Sequence, residues 1–259
     1  MAICNIRFMD NRKMDSYTVT NENGSFPLTN AMSSIRSEIF KTTTTSTRIT
    51  IDLGFPDNIT ALTLFAPLGE KLGITKEATI KFQADNVLDW TSPEVDETIT
   101  LDNDDRLIYL TDINYRFVSL YIDDPTNPDG IISFADIYMG DHTTTTFRNV
   151  APKFSWNHND KTKVSKSLDG TTYFSTRKKY DSFDGLNFGL VEDTDRRIIE
   201  QLFNRVGISE WMPIAIDPGT YTTSSINDLT RLARFSKSLS VRHVAFDRFN
   251  MNFALEEVI

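Results

Sequence analysis

The stretch from residue 47 to residue 65 constrains the fold of this chain more than any other part. Its sequence, TRITIDLGFPDNITALTLF, alternates apolar and polar residues on both sides of a Pro-Asp-Asn group. Side chains point alternately to the two faces of a β-strand, so Ile49 and Ile51 share a face that a core can bury. We therefore expect two strands, Thr47–Leu53 and Thr60–Phe65, joined by a turn at Pro56-Asp57-Asn58.

Short strand patterns continue through the whole first half of the chain. Turn residues separate them, among them Asn23-Gly24 and Asn127-Pro128-Asp129-Gly130. Many short strands at such spacing are typical of a β-sandwich. The additional expected strands are Ile3–Phe8, Ser16–Val19, Ala78–Ala84, Glu97–Leu101, Leu107–Leu110, Arg116–Ile122 and Ile132–Met139.

A polar, threonine-rich segment, Gly140–Pro152, separates this half from a different second half. We place the domain boundary within it, which gives a β-sandwich over residues 1–146 and a second domain over residues 147–259. The strands expected in the second domain are Phe154–Trp156, Thr172–Thr176, Asp181–Leu190, Trp211–Asp217, Ser238–Asp247 and Phe249–Val258, whereas Ser224–Phe235 fits either a loop or a helical turn.

One helix pattern interrupts these strands, over residues 192–206. Its apolar residues recur at helical spacing and form one face, which comprises Ile198, Ile199, Leu202, Phe203 and Val206. Acidic residues at its start suit the helix dipole, and Gly207 follows its end as a cap. The fold class predicted is thus mainly β, with an N-terminal sandwich and a C-terminal β-rich α+β domain that holds one helix.

Charge and composition exclude several classes of partner. The formal net charge is −9, of which residues 1–150 carry −10 and residues 151–259 carry +1; solubility or two different neighbours would each explain this asymmetry. An acidic first half repels nucleic acid and anionic membranes, so we expect neither as a partner. No stretch approaches ~18 consecutive apolar residues, so we expect no membrane span. The N-terminal apolar run is too short for a signal peptide, and we expect synthesis in a reducing host cytoplasm.

The sequence contains no constellation of residues that indicates catalysis. The three histidines are far apart, and no nucleophile, zinc or phosphate-loop motif is present. We therefore predict that the chain is not an enzyme and needs no cofactor. Calcium is left open, because Asp123, Asp124 and Asp129 place carboxylate oxygens in a single loop, where ordinary turn chemistry explains them equally well.

Three aromatic residues in polar surroundings are candidates for contact with a sugar or a protein partner. Trp90 lies in the turn-rich segment LDWTSP, and Tyr173 and Tyr221 also have polar neighbours. An exposed ring can stack on a sugar or fill a protein interface, although core packing is the commoner use of such residues. We expect Trp90 to be partly exposed.

The first half, from residue 30 to residue 140, resembles the discoidin-like, galactose-binding-like family of β-sandwiches. The resemblance rests on Ile51-Asp52-Leu53-Gly54 leading into Ile59–Leu64, on Tyr115–Ile122 and on the closing strand Ile131–Met139. It implies a jelly-roll sandwich used for recognition or assembly. The family's bridging cysteines are absent, and Thr and Ser replace the tryptophan that often precedes the Asp-Leu-Gly strand, so ligand-loop residues are not carried over.

The second half resembles domains of phage tails and baseplates. Leu186-Asn187-Phe188 before the acidic helix start, the strand Pro213–Asp217 after the helix and the closing strand Ala254–Val258 carry this similarity. It implies a structural virion protein of a bacteriophage tail tip or baseplate, which assembles with other tail proteins as a homo-oligomeric ring and can take part in host attachment.

Two functions therefore remain open. The first is the virion tail component, in which exposed edge strands such as Thr172–Thr176 could pair between subunits. The alternative is a carbohydrate-binding module that attaches a particle or an enzyme to a cell-surface glycan, with Trp90 as a stacking residue. The two functions are compatible, because one particle can use such sandwiches for both purposes.

Overall fold

The structure of the protein is a computed structural model that describes residues 5–33, 35, 37–67, 69–143, 155–176, 179–217 and 230–258. The chain is mainly β, as predicted. Its residues form two compact units. One comprises Arg7–Thr143 together with Thr230, and the other comprises the described parts of residues 5–6, 155–217 and 231–258. They are called the sandwich unit and the helix unit below.

The boundary predicted after residue 146 falls among residues 144–154, which lie outside the described part of the chain. The division into residues 1–146 and 147–259 therefore stays a prediction. Within the described ranges, no helix is long and apolar enough to cross a bilayer.

The described residues of the sandwich unit form nine strands and one short 3-10 helix. The 3-10 helix is Leu28–Met32. The strands are β1 (Asn5–Arg12, of which residues 7–12 belong to this unit), β2 (Tyr17–Val19), β3 (Phe40–Lys41), β4 (Ser46–Phe65), β5 (Thr79–Asp85), β6 (Val95–Ile99), β7 (Arg106–Asp123), β8 (Ser133–Phe134) and β9 (Asp136–Thr143). They are antiparallel in the order β1-β9-β4-β7-β5-β6, with β2 beside β4, while β3 and β8 form a separate pair.

The turn predicted at Pro56-Asp57-Asn58 is wrong, because β4 runs through it as one continuous strand. Asp52 pairs with Phe117 and Asp57 pairs with Tyr115, so residues 53–56 of β4 oppose a single residue of β7. This is a large β-bulge, in which extra residues loop out while the ladder resumes on both sides. The two strands predicted as Leu107–Leu110 and Arg116–Ile122 are likewise parts of one continuous strand, β7, which pairs with β4 on both sides of the bulge.

The core of the sandwich unit draws on both halves of β4. Ile49 and Ile51, before the bulge, and Leu62 and Leu64, after it, belong to one cluster of buried side chains. Long strands pass between the layers of a sandwich by bending at bulges. The bulge therefore allows one pair of long strands to contribute to the whole core, where each fully buried side chain of this size contributes about 1.5–3 kcal/mol.

In the helix unit the strands lie in the order β10-β13-β17-β15-β14, with β16 beside β17. Strands β11 and β12 form a separate hairpin. The strands are β10 (Ser155–Asp160), β11 (Lys163–Lys166), β12 (Thr172–Ser175), β13 (Lys179–Val191), β14 (Met212–Asp217), β15 (Thr230–Phe235), β16 (Ser240–Ala245) and β17 (Arg248–Glu257). The segment that fitted either a loop or a helical turn is thus a strand over its described residues 230–235.

The helix α1 (Asp193–Val206) confirms the predicted helix and its apolar face. Ile199, Leu202 and Val206 are buried, and Phe203 places its ring 5.1 Å from that of Phe235. The helix begins one residue later than predicted, because Glu192 is its extended N-cap. Gly207 closes it at φ 59, a conformation that favours glycine, and its N–H donates to the carbonyl of Phe203.

Replacing Gly140 by alanine should destabilise the sandwich unit. A Cβ at Gly140 would lie 2.1 Å from the backbone oxygen of Asn11, on the neighbouring strand β1. We expect the free energy of unfolding, measured by urea denaturation, to fall by about 2–3 kcal/mol, since backbone must move to relieve the contact. Gly24→Ala is the matched control, because its Cβ would meet nothing within 4 Å. Equal stability of the two variants would contradict the close packing of β1 on β9.

Candidate functional site

The sandwich sheet has a polar outer face opposite its apolar core. Ile49 and Ile51 face the core, so Arg48 and Asp52 lie on the outer face of β4. Strand register places Tyr121 of β7 opposite Arg48. Further outer-face residues are Thr50 on β4, Ser119 on β7, Lys81 and Gln83 on β5, and Asp96 on β6. Polar side chains from four adjacent strands therefore share one face of the sheet, on which Thr50, Gln83 and Ser119 are buried.

Arg48 is the centre of a polar cluster on this face. Its Nη1 donates hydrogen bonds to the hydroxyl of Ser119, at 3.0 Å, and to the side-chain oxygen of Gln83. Its guanidinium carbon lies 4.8 Å from the ring centroid of Tyr121 and 5.4 Å from that of Trp90. Each such cation–π contact contributes about 0.5–1 kcal/mol at an exposed site. Two hydrogen bonds and two aromatic rings thus fix the guanidinium.

Trp90 lies in the segment between β5 and β6 and is half-buried, which agrees with its expected partial exposure. Val87 and Leu88, in the same segment, are exposed by 64% and 60%. The ring of Trp90 therefore lies near Arg48 in a segment that also exposes two apolar side chains.

A cleft of about 590 Å³ lies beside the bulge of β4, and we call it the bulge cleft. Residues 11–13, 15 and 16, from β1 and the segment after it, form one wall. Residues 52–54 and 57 of the bulge form the other wall. The walls contain both cationic and anionic side chains, so the cleft offers donors and acceptors of hydrogen bonds.

Two carboxylates of the bulge cleft are held by cations. Asp52 accepts a bidentate pair of hydrogen bonds from Arg116, at 2.8 Å from Nε and 2.9 Å from Nη2. The Nζ of Lys13 lies 2.8 Å from the carboxylate of Asp57 and donates to the carbonyl of Asn58 at 2.8 Å. Charge-assisted, bidentate contacts give geometric specificity as well as energy. The polar wall of the bulge is therefore ordered before any ligand arrives.

The same contacts keep both carboxylates ionised. The hydrogen bond from Arg116, aided by the N–H of Gly54, lowers the pKa of Asp52 to about 2. The hydrogen bond from Lys13 lowers the pKa of Asp57 below its usual range. Since an ordinary aspartate has a pKa of about 3.9, both groups are hydrogen-bond acceptors throughout the neutral pH range.

Phe55 stands at the crest of the bulge, with 65% of its surface exposed. Gly54, before it, has a φ of 77, which only glycine adopts without strain, and so the backbone can loop outward here. Gly54 and Asp57, on either side of Phe55 in sequence, both line the bulge cleft. A single exposed apolar residue is ordinary on a protein surface. Beside a preordered polar cleft, it provides an apolar surface next to fixed polar groups.

The structure describes two of the three aromatic residues predicted from the sequence. Trp90 belongs to the sandwich unit and Tyr173 to the helix unit, where Tyr173 is 57% exposed on β12. Tyr221 lies outside the described residues. Their roles in carbohydrate or interface contact stay predictions.

Of the three aspartates predicted as calcium ligands, Asp124 holds the loop together through its side chain. Asp124 is fully buried, and its two oxygens accept hydrogen bonds from the N–H and the hydroxyl of Thr75, each at 2.7 Å. Asp123 is half-buried and Asp129 is exposed. Among the described residues, no group of three or more His, Cys, Asp or Glu side chains could hold a metal ion. Calcium binding by these three aspartates stays a prediction.

A histidine and an aspartate come together in the helix unit. His158 Nδ1 lies 2.6 Å from Asp181, whose second oxygen accepts from Arg231 Nε at 2.8 Å. The backbone N–H of Asp181 donates to Glu257 at 2.9 Å. These contacts join strands β10, β13, β15 and β17, so we assign the cluster a role in holding the sheet together.

Sequence reasoning missed the residues that build the bulge cleft. Phe55, Lys13 and Arg116 were not singled out, since each is an ordinary surface residue when read alone. The available signal was the Asp-Leu-Gly-Phe-Pro-Asp segment itself. Glycine followed by proline within a strand pattern is typical of a bulge or an edge as well as of a turn.

Comparison with known proteins yields structural similarity alone. No protein-family model matches the chain, and no curated protein matches it. Solved structures similar to it include the family 32 carbohydrate-binding module from C. perfringens NanJ in complex with galactose. That structure has 12% sequence identity and a TM-score of 0.41, and the match covers 52% of this chain and 99% of that one.

Two further similar structures are a fucose-binding module of Streptococcus pneumoniae and the lectin domain of lectinolysin complexed with Lewis B antigen. The first has 10% identity and a TM-score of 0.40, with 51% of this chain and 98% of that chain covered. The second has 13% identity and a TM-score of 0.39, with 50% and 94% covered. Similarity at this level carries no argument about function.

Removing the cation beside Asp52 should raise the pKa of this carboxyl group toward its ordinary value. We expect Arg116→Met to raise the pKa of Asp52 from about 2 toward the ordinary value, with the Gly54 N–H retaining part of the depression. A pH titration of the carboxyl carbons followed by NMR measures this change. Asp104, whose pKa of about 2 depends on Lys71 and Lys76, is the internal control and should not move. An unchanged Asp52 pKa would contradict the bidentate contact.

Proposed function

We propose that this chain is a carbohydrate-binding protein and that a neutral glycan binds in the bulge cleft. The observation that carries the proposal is the pairing of fixed carboxylates, Asp52 and Asp57, with an adjacent exposed ring, Phe55. Ligand sites combine apolar contact with a few polar groups whose positions are fixed, as this cleft does. The role is binding rather than catalysis.

The hydrogen-bonding groups of the cleft suit the hydroxyls of a sugar. A hydroxyl both donates and accepts, and each ionised carboxylate offers about four acceptor positions, of which the contacts within the protein use only some. Lys13 has three N–H donors and uses two of them, on Asp57 and Asn58. A hydrogen bond to a charged group contributes about 1.5–3 kcal/mol. A few such bonds suffice for the weak binding of a single sugar.

The apolar face of a sugar ring would lie against Phe55. An exposed phenyl ring offers a flat apolar surface and loses little conformational freedom on binding, since it turns about only two side-chain torsions. Because Phe55 extends from the crest of the bulge, its ring is accessible to a glycan that is attached to a cell surface.

Glycan binding should be lost when Phe55 is truncated. We expect an array of neutral glycans to identify ligands. Phe55→Ala and Asp57→Asn should each lower the affinity for the tightest-binding ligand at least about tenfold in calorimetric titration, which corresponds to about 1.4 kcal/mol. Phe246→Ala removes another exposed phenyl ring, 97% exposed in the helix unit, and should bind like the parent protein. Binding to no neutral glycan, or full binding by Phe55→Ala, would contradict the proposal.

Self-assembly is a second proposed function, favoured by the hairpin β11–β12. Every residue of its two strands is exposed. A two-stranded hairpin is marginally stable in water unless another surface covers it. Val164 and Phe174 are paired across the hairpin and are 59% and 67% exposed. They form an apolar face that a partner could cover.

Charge favours a second copy of this chain as that partner. Residues 161–179 carry six Lys and Arg residues against one Asp, whereas residues 1–150 carry a net charge of −10. The hairpin of one copy would therefore be attracted to the acidic region of another, in a heterologous contact. The tail role, with other virion proteins as partners and a closed ring in the virion, rests on sequence resemblance alone and is proposed as one setting for this contact.

Sedimentation velocity over a range of protein concentrations tests the assembly proposal. We expect the parent protein to self-associate, less strongly at high salt because the attraction is electrostatic. The double variant Val164→Ser/Phe174→Ser should remain monomeric at the same concentrations. Val244→Ser/Phe246→Ser, which changes two exposed residues near the end of β16, is the control and should associate normally. A parent protein that stays monomeric, or a hairpin variant that associates fully, would refute the contact.

A further inference from the structure

The guanidinium of Arg48 is built into the outer face of the sandwich sheet with part of its donor set unused. Nη1 donates to Gln83 and Ser119. Among the described residues, none accepts a hydrogen bond from Nε or Nη2. Arginine presents its donors in a planar fork that matches a carboxylate through two parallel hydrogen bonds. The unused edge of Arg48, formed by Nε and Nη2, is such a fork.

The neighbours of Arg48 fix the orientation of this fork. Gln83 is buried, and its amide nitrogen donates to Asp96 at 3.0 Å, so its oxygen is directed at Arg48. Asp96 is held in turn by Lys81, whose Nζ lies 2.9 Å away. The rings of Tyr121 and Trp90 then restrict movement of the guanidinium out of its plane. Contacts that involve four strands thus fix the position of the guanidinium before a ligand binds.

The charge of Arg48 lacks a directly contacting counter-ion among the described residues. The carboxylate of Asp96, the nearby acid, accepts hydrogen bonds from Lys81 and Gln83 and acts on Arg48 only through its charge. Burial lowers the pKa of Arg48, which is the expected effect of removing a cation from water without a full counter-charge. An anion that binds here would compensate the charge of Arg48. A cation without a contacting carboxylate is unusual in a chain with a net charge of −9.

We propose that Arg48 and Trp90 form a second binding site, which takes a sugar that carries a carboxylate. The carboxylate would accept two hydrogen bonds from Nε and Nη2, and the sugar ring would lie against the exposed part of the Trp90 ring. This site goes beyond the neutral-glycan site of the bulge cleft and does not require the cleft to be occupied. Both sites lie on the same face of β4, four residues apart at Arg48 and Asp52, which is about 13 Å along a strand.

The proximity of the two sites has a consequence for the ligand. A separation of about 13 Å along the strand is short enough for one oligosaccharide to reach both sites, with an acidic sugar at Arg48 and a neutral sugar in the bulge cleft. A linked ligand would then bind more tightly than either sugar alone, because the second contact becomes intramolecular.

Titration of the parent protein with methyl glucuronoside, its neutral methyl ester and acetate tests the site. The Nε–H resonance of Arg48 in a proton–nitrogen NMR spectrum reports on the fork directly. We expect methyl glucuronoside to shift this resonance and to bind at least tenfold more tightly than the ester or acetate. Equal binding of the ester would refute carboxylate recognition, and equal binding of acetate would refute recognition of the sugar.

Variants separate this site from the bulge cleft. Arg48→Lys keeps the charge but removes the planar pair of donors, so it should lower the affinity for methyl glucuronoside at least tenfold. Trp90→Ala should lower that affinity by at least the same factor. Phe55→Ala, which alters only the bulge cleft, should bind methyl glucuronoside as the parent does. Full binding by Arg48→Lys would overturn the proposal, and loss of binding only in Phe55→Ala would move the acidic sugar to the cleft. If Arg48→Lys fails to fold, the resonance of Arg48 in the parent protein still decides the outcome.

Discussion

The mismatch in pairing between β4 and β7 is the constraint on which the rest of the sandwich unit depends. Two long antiparallel strands pair before and after it, and residues 53–56 of β4 loop out opposite the single residue Arg116, so that β4 has three extra residues here. Because bulges bend strands and increase their twist, this mismatch lets both halves of β4 supply one core. It also produces a crest and a cleft on the outer face. One local feature of the backbone therefore sets both the packing of the unit and the position of its candidate ligand site.

Fixed charges give that surface its chemical character. Arg116 and Lys13 hold the carboxylates of the bulge cleft, while hydrogen bonds and aromatic rings hold Arg48. Ordering such groups costs conformational entropy during folding, so less of that cost remains when a ligand binds. Exposed ion pairs contribute little to stability, typically about 0–1 kcal/mol. We therefore interpret these contacts mainly as a means of positioning donors and acceptors.

The sequence predicted the type of each helix or strand far better than the connections between them. Alternation at Ile49 and Ile51 gave the strand and its buried face, and helical spacing gave α1 with its Gly207 cap. The Pro56 region was interpreted as a turn, because turn and bulge use the same residues and differ only in whether a partner strand continues alongside. That partner, β7, lies about sixty residues further along the chain, so only the tertiary pairing of the two strands distinguishes a bulge from a turn. The cleft was missed for the same reason, since it joins residues near position 13 to residues near position 54. The partial exposure of Trp90 could be expected, because its neighbours in sequence are polar and typical of turns.

Intermolecular nuclear Overhauser effects between a bound neutral glycan and the isotope-labelled protein test the central claim most directly. If the bulge creates the binding site, ring protons of the sugar should show contacts to the phenyl ring of Phe55 and to the neighbouring Leu53 and Gly54. Contacts confined to other parts of the protein, with none to the residues of the bulge, would contradict the account.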